Sequence, residues 1–108
     1  MSATAIDLGL HGRHVVVTGA TGALGGAIVR RLLDAGATLH APVRRSKDLP
    51  AHPALRVTEG VDLADESAVT AYFAALPGLW ASVHAVGVFA AAPLLETSLE
   101  TWRQQLEL

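Results

Sequence analysis

The stretch "VVVTGATGALGG", residues 15–26, decides the fold. Three β-branched residues run into Thr18 and then into glycines at 19, 22, 25 and 26. A short apolar run bounded by glycine has the pattern of a strand buried on both faces, and His14 to Thr18 reads as that strand. From Ala23 to Ala35 apolar residues fall at Leu24, Ile28 and Leu32, with Val29 and Leu33 beside them, which makes one wide helical face. Arg30, Arg31 and Asp34 lie off it, and Gly36 is a natural C-terminal stop. Residues 15–26 are thus a strand-to-helix junction with almost no side chain in it. Glycine admits positive φ and close approach by another group. A helix N-terminus offers free amides and about half a positive charge, so the junction suits an anion, usually a diphosphate. A tight turn with close helix–strand packing and no ligand is the alternative.

Working outward, Ala37 to Val43 reads as a second strand. Pro42 implies that it ends there or sits where its amide is not needed. Arg44 to Pro53 is polar and proline-bearing, as in a surface loop. Leu55 to Val61 reads as a third strand. Asp65 is placed to N-cap a helix carrying Val69, Tyr72, Phe73 and Leu76, closed by Pro77-Gly78. Trp80 to Val88 reads as a fourth strand. Thr97-Ser98-Leu99-Glu100 has capping-box spacing and opens a last helix with Leu99, Trp102 and Leu106 on one face. Strands alternating with helices predict an α/β fold, a doubly wound parallel sheet with right-handed crossovers. Ligands in such sheets bind beyond the carboxyl ends of the strands, where strand order reverses, and the glycine cluster follows the first strand.

Composition narrows the function classes. The chain has 108 residues, 51% hydrophobic and 17% charged, with a formal net charge of -2, which suits one modest domain. That balance, with Lys47 the only lysine, argues against nucleic acid or an anionic membrane as partner. Cysteine is absent, which excludes disulfides and thiolate metal sites. Met1 to Leu10 lacks the pattern of a signal peptide, and no apolar run reaches the roughly 18 residues of a membrane helix. A cytoplasmic location is the default expectation. His11, His14, His40 and His52 are scattered without ligand spacing, so no metal is expected, and His84 reads as structural. Trp80, Trp102 and Tyr72 read as core or interface aromatics.

The strict G-x-G-x-x-G spacing is absent, and no lysine stands where a Walker A loop needs one. What stands here is Gly19-x-x-Gly22-x-x-Gly25. Thr18-Gly19-Ala20-Thr21-Gly22-Ala23-Leu24-Gly25 resembles the nucleotide-binding turn of the short-chain dehydrogenase/reductase family. "VDLADESAV" resembles the family's third-strand end and next helix, and "VHAVGVFAAAPLLETSLETWRQQLEL" its Asn-Asn-Ala-Gly strand end and the helix after it. The resemblance covers essentially the whole chain. The turn fits Thr-Gly-x-x-Gly-x-x-Gly, which belongs to the family's extended and atypical branches. In the larger branch's register, Thr-Gly-x-x-x-Gly-x-Gly, Ala23 falls where a glycine is usual, although the rest of the chain looks more like that branch.

The resemblance implies a Rossmann-like sheet of about four strands in the order 3-2-1-4, with residues 1–108 forming the N-terminal portion of a truncated NAD(P)-binding domain. It implies a cofactor held by Gly19, Thr21 through its hydroxyl, Gly22, Ala23, Leu24 through its amide, and Gly25. Asp62 would accept from the adenine amino group, with Leu63 lending its backbone. His84-Ala85-Val86-Gly87 stands where the family has Asn-Asn-Ala-Gly: both asparagines are gone, while Ala85, Val86 and Gly87 keep the close backbone approach. At the end of the second strand, an acidic residue selects NAD in such folds. Val43 stands there, followed by Arg44 and Arg45. A guanidinium pairs with phosphate as a bidentate fork, so NADP(H) is favoured over NAD(H).

The family's hydride chemistry, between nicotinamide and a carbonyl or alcohol, uses a tyrosine, a lysine four residues later and a serine. This chain does not supply them: Leu76 lies four residues after Tyr72, and Val43 four before Lys47. No residue is assigned as catalytic, and the chain alone is expected to be inactive, with the catalytic half and the contacts to a small-molecule substrate absent. Leaving the fourth strand as a free edge implies association through that strand and the last helix, as a homo-oligomer or with a further segment. Two other readings stay open: a non-enzymatic dinucleotide-sensing module of the same fold, and a half-fold that binds nothing.

Overall fold

In the computed structural model, which describes residues 7–45 and 49–107, four parallel strands form one sheet in the order β3-β2-β1-β4. The strands are β1 (His14–Thr18), β2 (Thr38–Pro42), β3 (Leu55–Thr58) and β4 (Ala81–His84). Helix α1 (Ala23–Asp34) links β1 to β2, α2 (Glu66–Ala74) links β3 to β4, and α3 (Leu99–Leu106) follows β4 after a single 3-10 turn at Leu94–Glu96. The order and architecture are those expected from the sequence. Lys47 and the signal-peptide reading of residues 1–6 lie outside the described residues.

Period-2 alternation assigns each strand residue to a face. Val15, Val17, Leu39, Ala41 and Leu55 pack with Val29, Leu33 and Ala37 of and after α1. The opposite face gives Val16 to a smaller cluster with Val61 and Tyr72 of α2. The two helices therefore cover opposite faces, as a doubly wound sheet requires. Burying a side chain such as Leu39, fully enclosed on the first face, stabilises the fold by roughly 1.5–3 kcal/mol. Helix α1 buries Gly25, Gly26, Val29 and Leu33. Leu24, expected on the apolar face, is 66% exposed, because the two glycines occupy the line of closest approach to the sheet.

Pro42 explains how the sheet opens. The Thr38 amide donates to the Arg13 carbonyl on the β1 side, and the Leu39 amide to the Ala54 carbonyl on the β3 side. Alternate amides thus face alternate neighbours, and residue 42 falls on the β1 side, where proline has no N–H to give. The β1–β2 register accordingly stops at Val16 and His40, while β2–β3 continues to Pro42 and Thr58. Both expectations for Pro42 are met: the strand ends there, and the missing amide parts β2 from β1 at the carboxyl edge.

Three strands are shorter than the sequence implied, the second by one residue at each end. The third ends at Thr58, before Gly60 at φ +76°. The fourth ends at His84 and not at Val88, because its partner β1 ends at Thr18; the bond from the Ala85 amide to the Thr18 carbonyl is the last rung. Asp65 caps α2, its side chain accepting from the Ser67 and Ala68 amides. The α3 cap is Ser98, one residue later than the Thr97–Glu100 spacing suggested, with its hydroxyl accepting from the Thr101 amide.

Candidate functional site

The glycine turn is held from both sides by backbone. Gly19 has φ +74°, and a Cβ there would come within 2.5 Å of the Ala85 carbonyl carbon and oxygen and 2.6 Å of the Val86 amide. A Cβ on Gly25 would overlap the Gly19 carbonyl group. These two glycines let the turn seat on the exit of β4 and let α1 seat on the turn. Gly22 differs: a Cβ there would meet only the Gly19 carbonyl oxygen, at an ordinary 3.4 Å, and its φ of -77° and ψ of 170° suit any residue. Nothing among the described residues requires glycine at this position.

Gly22 is the N-cap of α1. It has no capping side chain, and no acidic residue lies in the first turn. By contrast α2 has Asp65 with Glu66, and α3 has Ser98 with Glu100. Among the described α-helices, α1 alone starts with its amides and dipole uncompensated. The side-chain bonds to Asp65 hold its carboxyl below the usual range, the Ser67 hydroxyl first and then the Ala68 and Ser67 amides.

The turn just before this helix start lines a cleft of about 550 Å³ at the carboxyl edge of the sheet. Gly19, Ala20 and Thr21 form its floor, Val86, Gly87 and Val88 one wall, and Pro42, Val43, Arg44 and Arg45 the other, with Val61 and Leu63 closing the far end. Of the residues singled out from sequence, the cleft brings together Gly19, Thr21, Arg44, Arg45, Leu63, Val86 and Gly87. Gly22, Ala23, Leu24 and Gly25 form the adjacent helix start, and Ala85 backs the turn. Asp62 is not in the lining; its Oδ1 lies 3.3 Å from Arg44 Nη2 and accepts from the Ala64 amide at 2.9 Å. Val43, where an acidic residue would select NAD, is buried.

Sequence reasoning passed over the floor residue Ala20 and the wall residues Pro42, Val61 and Val88. It read His14 and His40 as scattered and did not foresee their pairing, while it read His84 as structural. His14 Nδ1 lies 2.9 Å from His40 Nε2, with the rings stacked. Burial lowers the pKa of His40, helped by the adjacent His14 and by Arg56. His84 Nδ1 bonds the Thr18 hydroxyl at 3.1 Å and its Nε2 the Ser82 hydroxyl at 3.1 Å. This bridge ties β1 to β4 just below the cleft. The available signal was period 2: His14, Val16 and Thr18 alternate onto one face, as do His40, Ser82 and His84 on their strands. Among the described residues no three ligating side chains gather as a metal site, and no helix is long and apolar enough to cross a membrane.

Solved structures share this fold. A short chain dehydrogenase from Burkholderia cenocepacia J2315 in complex with NADP is 26% identical, with a TM-score of 0.76 over 91% of this chain and 42% of its own. Serine dehydrogenase from Escherichia coli is 25% identical, with a TM-score of 0.73 over 87% of this chain and 47% of its own. A short chain dehydrogenase from Leptospira borgpetersenii with bound NAD+ shares the fold at 14% identity, with a TM-score of 0.76 over 91% of this chain and 40% of its own. The chain spans less than half the length of each. No curated protein sequence matches it. The sequence profile that does match begins at Val15, inside β1, takes in the glycine turn and both cleft walls, and runs through α3: over residues 15–108 the chain belongs to the NAD dependent epimerase/dehydratase family.

Proposed function

We propose that this chain is the cofactor-holding segment of an oxidoreductase and binds NADP(H) in preference to NAD(H). One observation carries the reading: Gly22, which the fold itself does not require to be glycine, caps the only α-helix among those described that has neither a capping side chain nor an acidic first turn. A diphosphate would complete that helix start, meeting free amides and an uncompensated dipole. Thr21 and the Leu24 amide would contact it, while Val86 and Gly87 flank the dinucleotide. Burkholderia and Leptospira structures of the same fold hold NADP and NAD+, which supports a dinucleotide here. Val43 in place of a carboxylate, with Arg44 and Arg45 beside it on the cleft wall, supports the 2'-phosphate form. When bound, the nicotinamide supplies or accepts hydride.

This chain's residues bind and orient. Tyr72, its one tyrosine, is 8% exposed, enclosed with Val16 and Val61, and is not among the residues that line the cleft, which supports the expectation that the chain alone does not carry the chemistry. Titration of NADPH and NADH against one sample tests the reading. NADPH should bind about tenfold or more tightly, the range of one charge-assisted phosphate contact. Tighter NADH binding would sink the preference, and binding of neither would sink the cofactor reading itself.

A further inference from the structure

We infer that Asp62 sets the cofactor preference by restraining Arg44, which leaves Arg45 as the side chain that meets a 2'-phosphate. The inference rests on the cofactor reading above and gives Asp62 a role other than the adenine contact expected from sequence. The two arginines are adjacent on one cleft wall but differ in what holds them. The Arg44 carbonyl accepts from the Gly60 amide at 3.2 Å, and Val43 before it is bonded through its amide to Thr58 and through its carbonyl to Val61. Its backbone is therefore stitched to the exit of β3. Its guanidinium reaches Asp62 Oδ1 at 3.3 Å. That oxygen is itself anchored by the Ala64 amide at 2.9 Å, so Arg44 meets a fixed carboxylate. Arg45 is exposed on the same wall and has no side-chain partner among the described residues.

Charge bookkeeping at this wall is then simple. Arg44 and Asp62 neutralise each other, and among the described residues of this wall Arg45 supplies the uncompensated positive charge. A phosphate recruiting Arg44 as well must first displace Asp62. Both partners are well exposed, with side chains 77% and 53% accessible, so the restraint is modest, equivalent to about two- to fivefold in affinity. Asp62 tunes the site; it does not make it.

The probes are adenosine 2',5'-bisphosphate and AMP, which differ by the 2'-phosphate alone. Their dissociation constants are measured on the protein and on Asp62→Asn, each in the native and the Arg44→Gln background. Asparagine keeps an oxygen for the Ala64 amide, so the turn persists. Asp62→Asn should raise the preference for the bisphosphate about two- to fivefold with Arg44 present, and leave it unchanged with Gln at 44. An equal rise in both backgrounds would mean direct repulsion between Asp62 and the phosphate, and would overturn the inference. An unchanged or lowered preference in the native background would overturn it too. Failure of the native protein to bind either probe is a separate result, one that removes the cofactor reading and this inference with it.

Discussion

Adding one methyl group at Gly22 should leave the fold standing and weaken binding of the proposed dinucleotide. In Gly22→Ala the new Cβ meets only the Gly19 carbonyl oxygen, at 3.4 Å, and the backbone angles are open to alanine. Alanine is a poorer N-cap than glycine, by up to about 1 kcal/mol. Against this, replacing glycine restricts the unfolded chain and returns about 0.4–1 kcal/mol. The two nearly cancel, so the melting temperature should move by less than about 8 °C. Gly25→Ala is the contrast. Its Cβ would overlap the Gly19 carbonyl, and overpacking against backbone costs about 3 kcal/mol or more. On the proposed reading a phosphate meets the amides of the helix that Gly22 caps, where a methyl would crowd it, and NADPH binding should weaken at least about tenfold, or 1.4 kcal/mol. Urea denaturation reads the stability of both variants, and nucleotide fluorescence titration reads binding to Gly22→Ala. A Gly22→Ala protein that is stable and binds as the native one does would refute the reasoning, because the space at Gly22 would then serve no ligand.

Other outcomes test other parts of the structure. The pKa of His40 is lowered in the fold, so the folded state favours the neutral ring. That contribution is present above the unfolded value of 6.5 and is lost as pH falls toward the folded one. Stability to urea should drop between pH 7.5 and 5.5, and His40→Gln should flatten that slope; an unaltered slope would remove the buried pair as its source. The Tyr72 hydroxyl is buried without a partner among the described residues, and burial pushes its pKa up to about 12 from 10.0. Tyr72→Phe should therefore raise stability by about 1 kcal/mol, since it removes an unpaired buried group, and a loss of stability would mean that the hydroxyl has a partner. Leu99, Trp102 and Leu106 of α3 are 65%, 52% and 79% exposed, which supports association through this face. Sedimentation should find oligomers, and a well-behaved monomer would count against it.

What could be read from sequence was local, and what could not depended on neighbours. The junction at residues 15–26 carries a strand, its turn and the start of a helix, so the sheet's first crossover followed from it, while the strand order followed from the family resemblance. Asp65 lies at the start of an apolar periodic run, and its cap formed as expected. The fourth strand failed to reach Val88 because its length depends on β1, a strand more than sixty residues earlier in the chain. The same holds within the site. Gly19, Gly22 and Gly25 look alike in sequence, yet the first and third are demanded by Ala85 and by Gly19, and only the middle one is left to a ligand. Arg44 and Arg45 look alike too, until the exit of β3 brings Asp62 to one of them.

The two faces of the sheet also divide the work. The face under α1 is apolar, with Val15, Val17, Leu39, Ala41 and Leu55 closing against Val29 and Leu33. The other face carries His14, Thr18, His40, Ser82 and His84: His14 pairs with His40 and Thr18 with His84 across strands, while Ser82 bonds His84 within β4. A fold could bury that second face with aliphatic side chains at less cost in desolvation. Polar pairs are directional where aliphatic contacts are not. The Thr18–His84 bond fixes how β1 and β4 leave the sheet, and those exits carry Gly19 and Ala85, whose backbones could not pass so closely if either strand slipped. Pro42, meanwhile, parts β2 from β1 on the other side. One exit is clamped and one is opened, and the cleft lies between them.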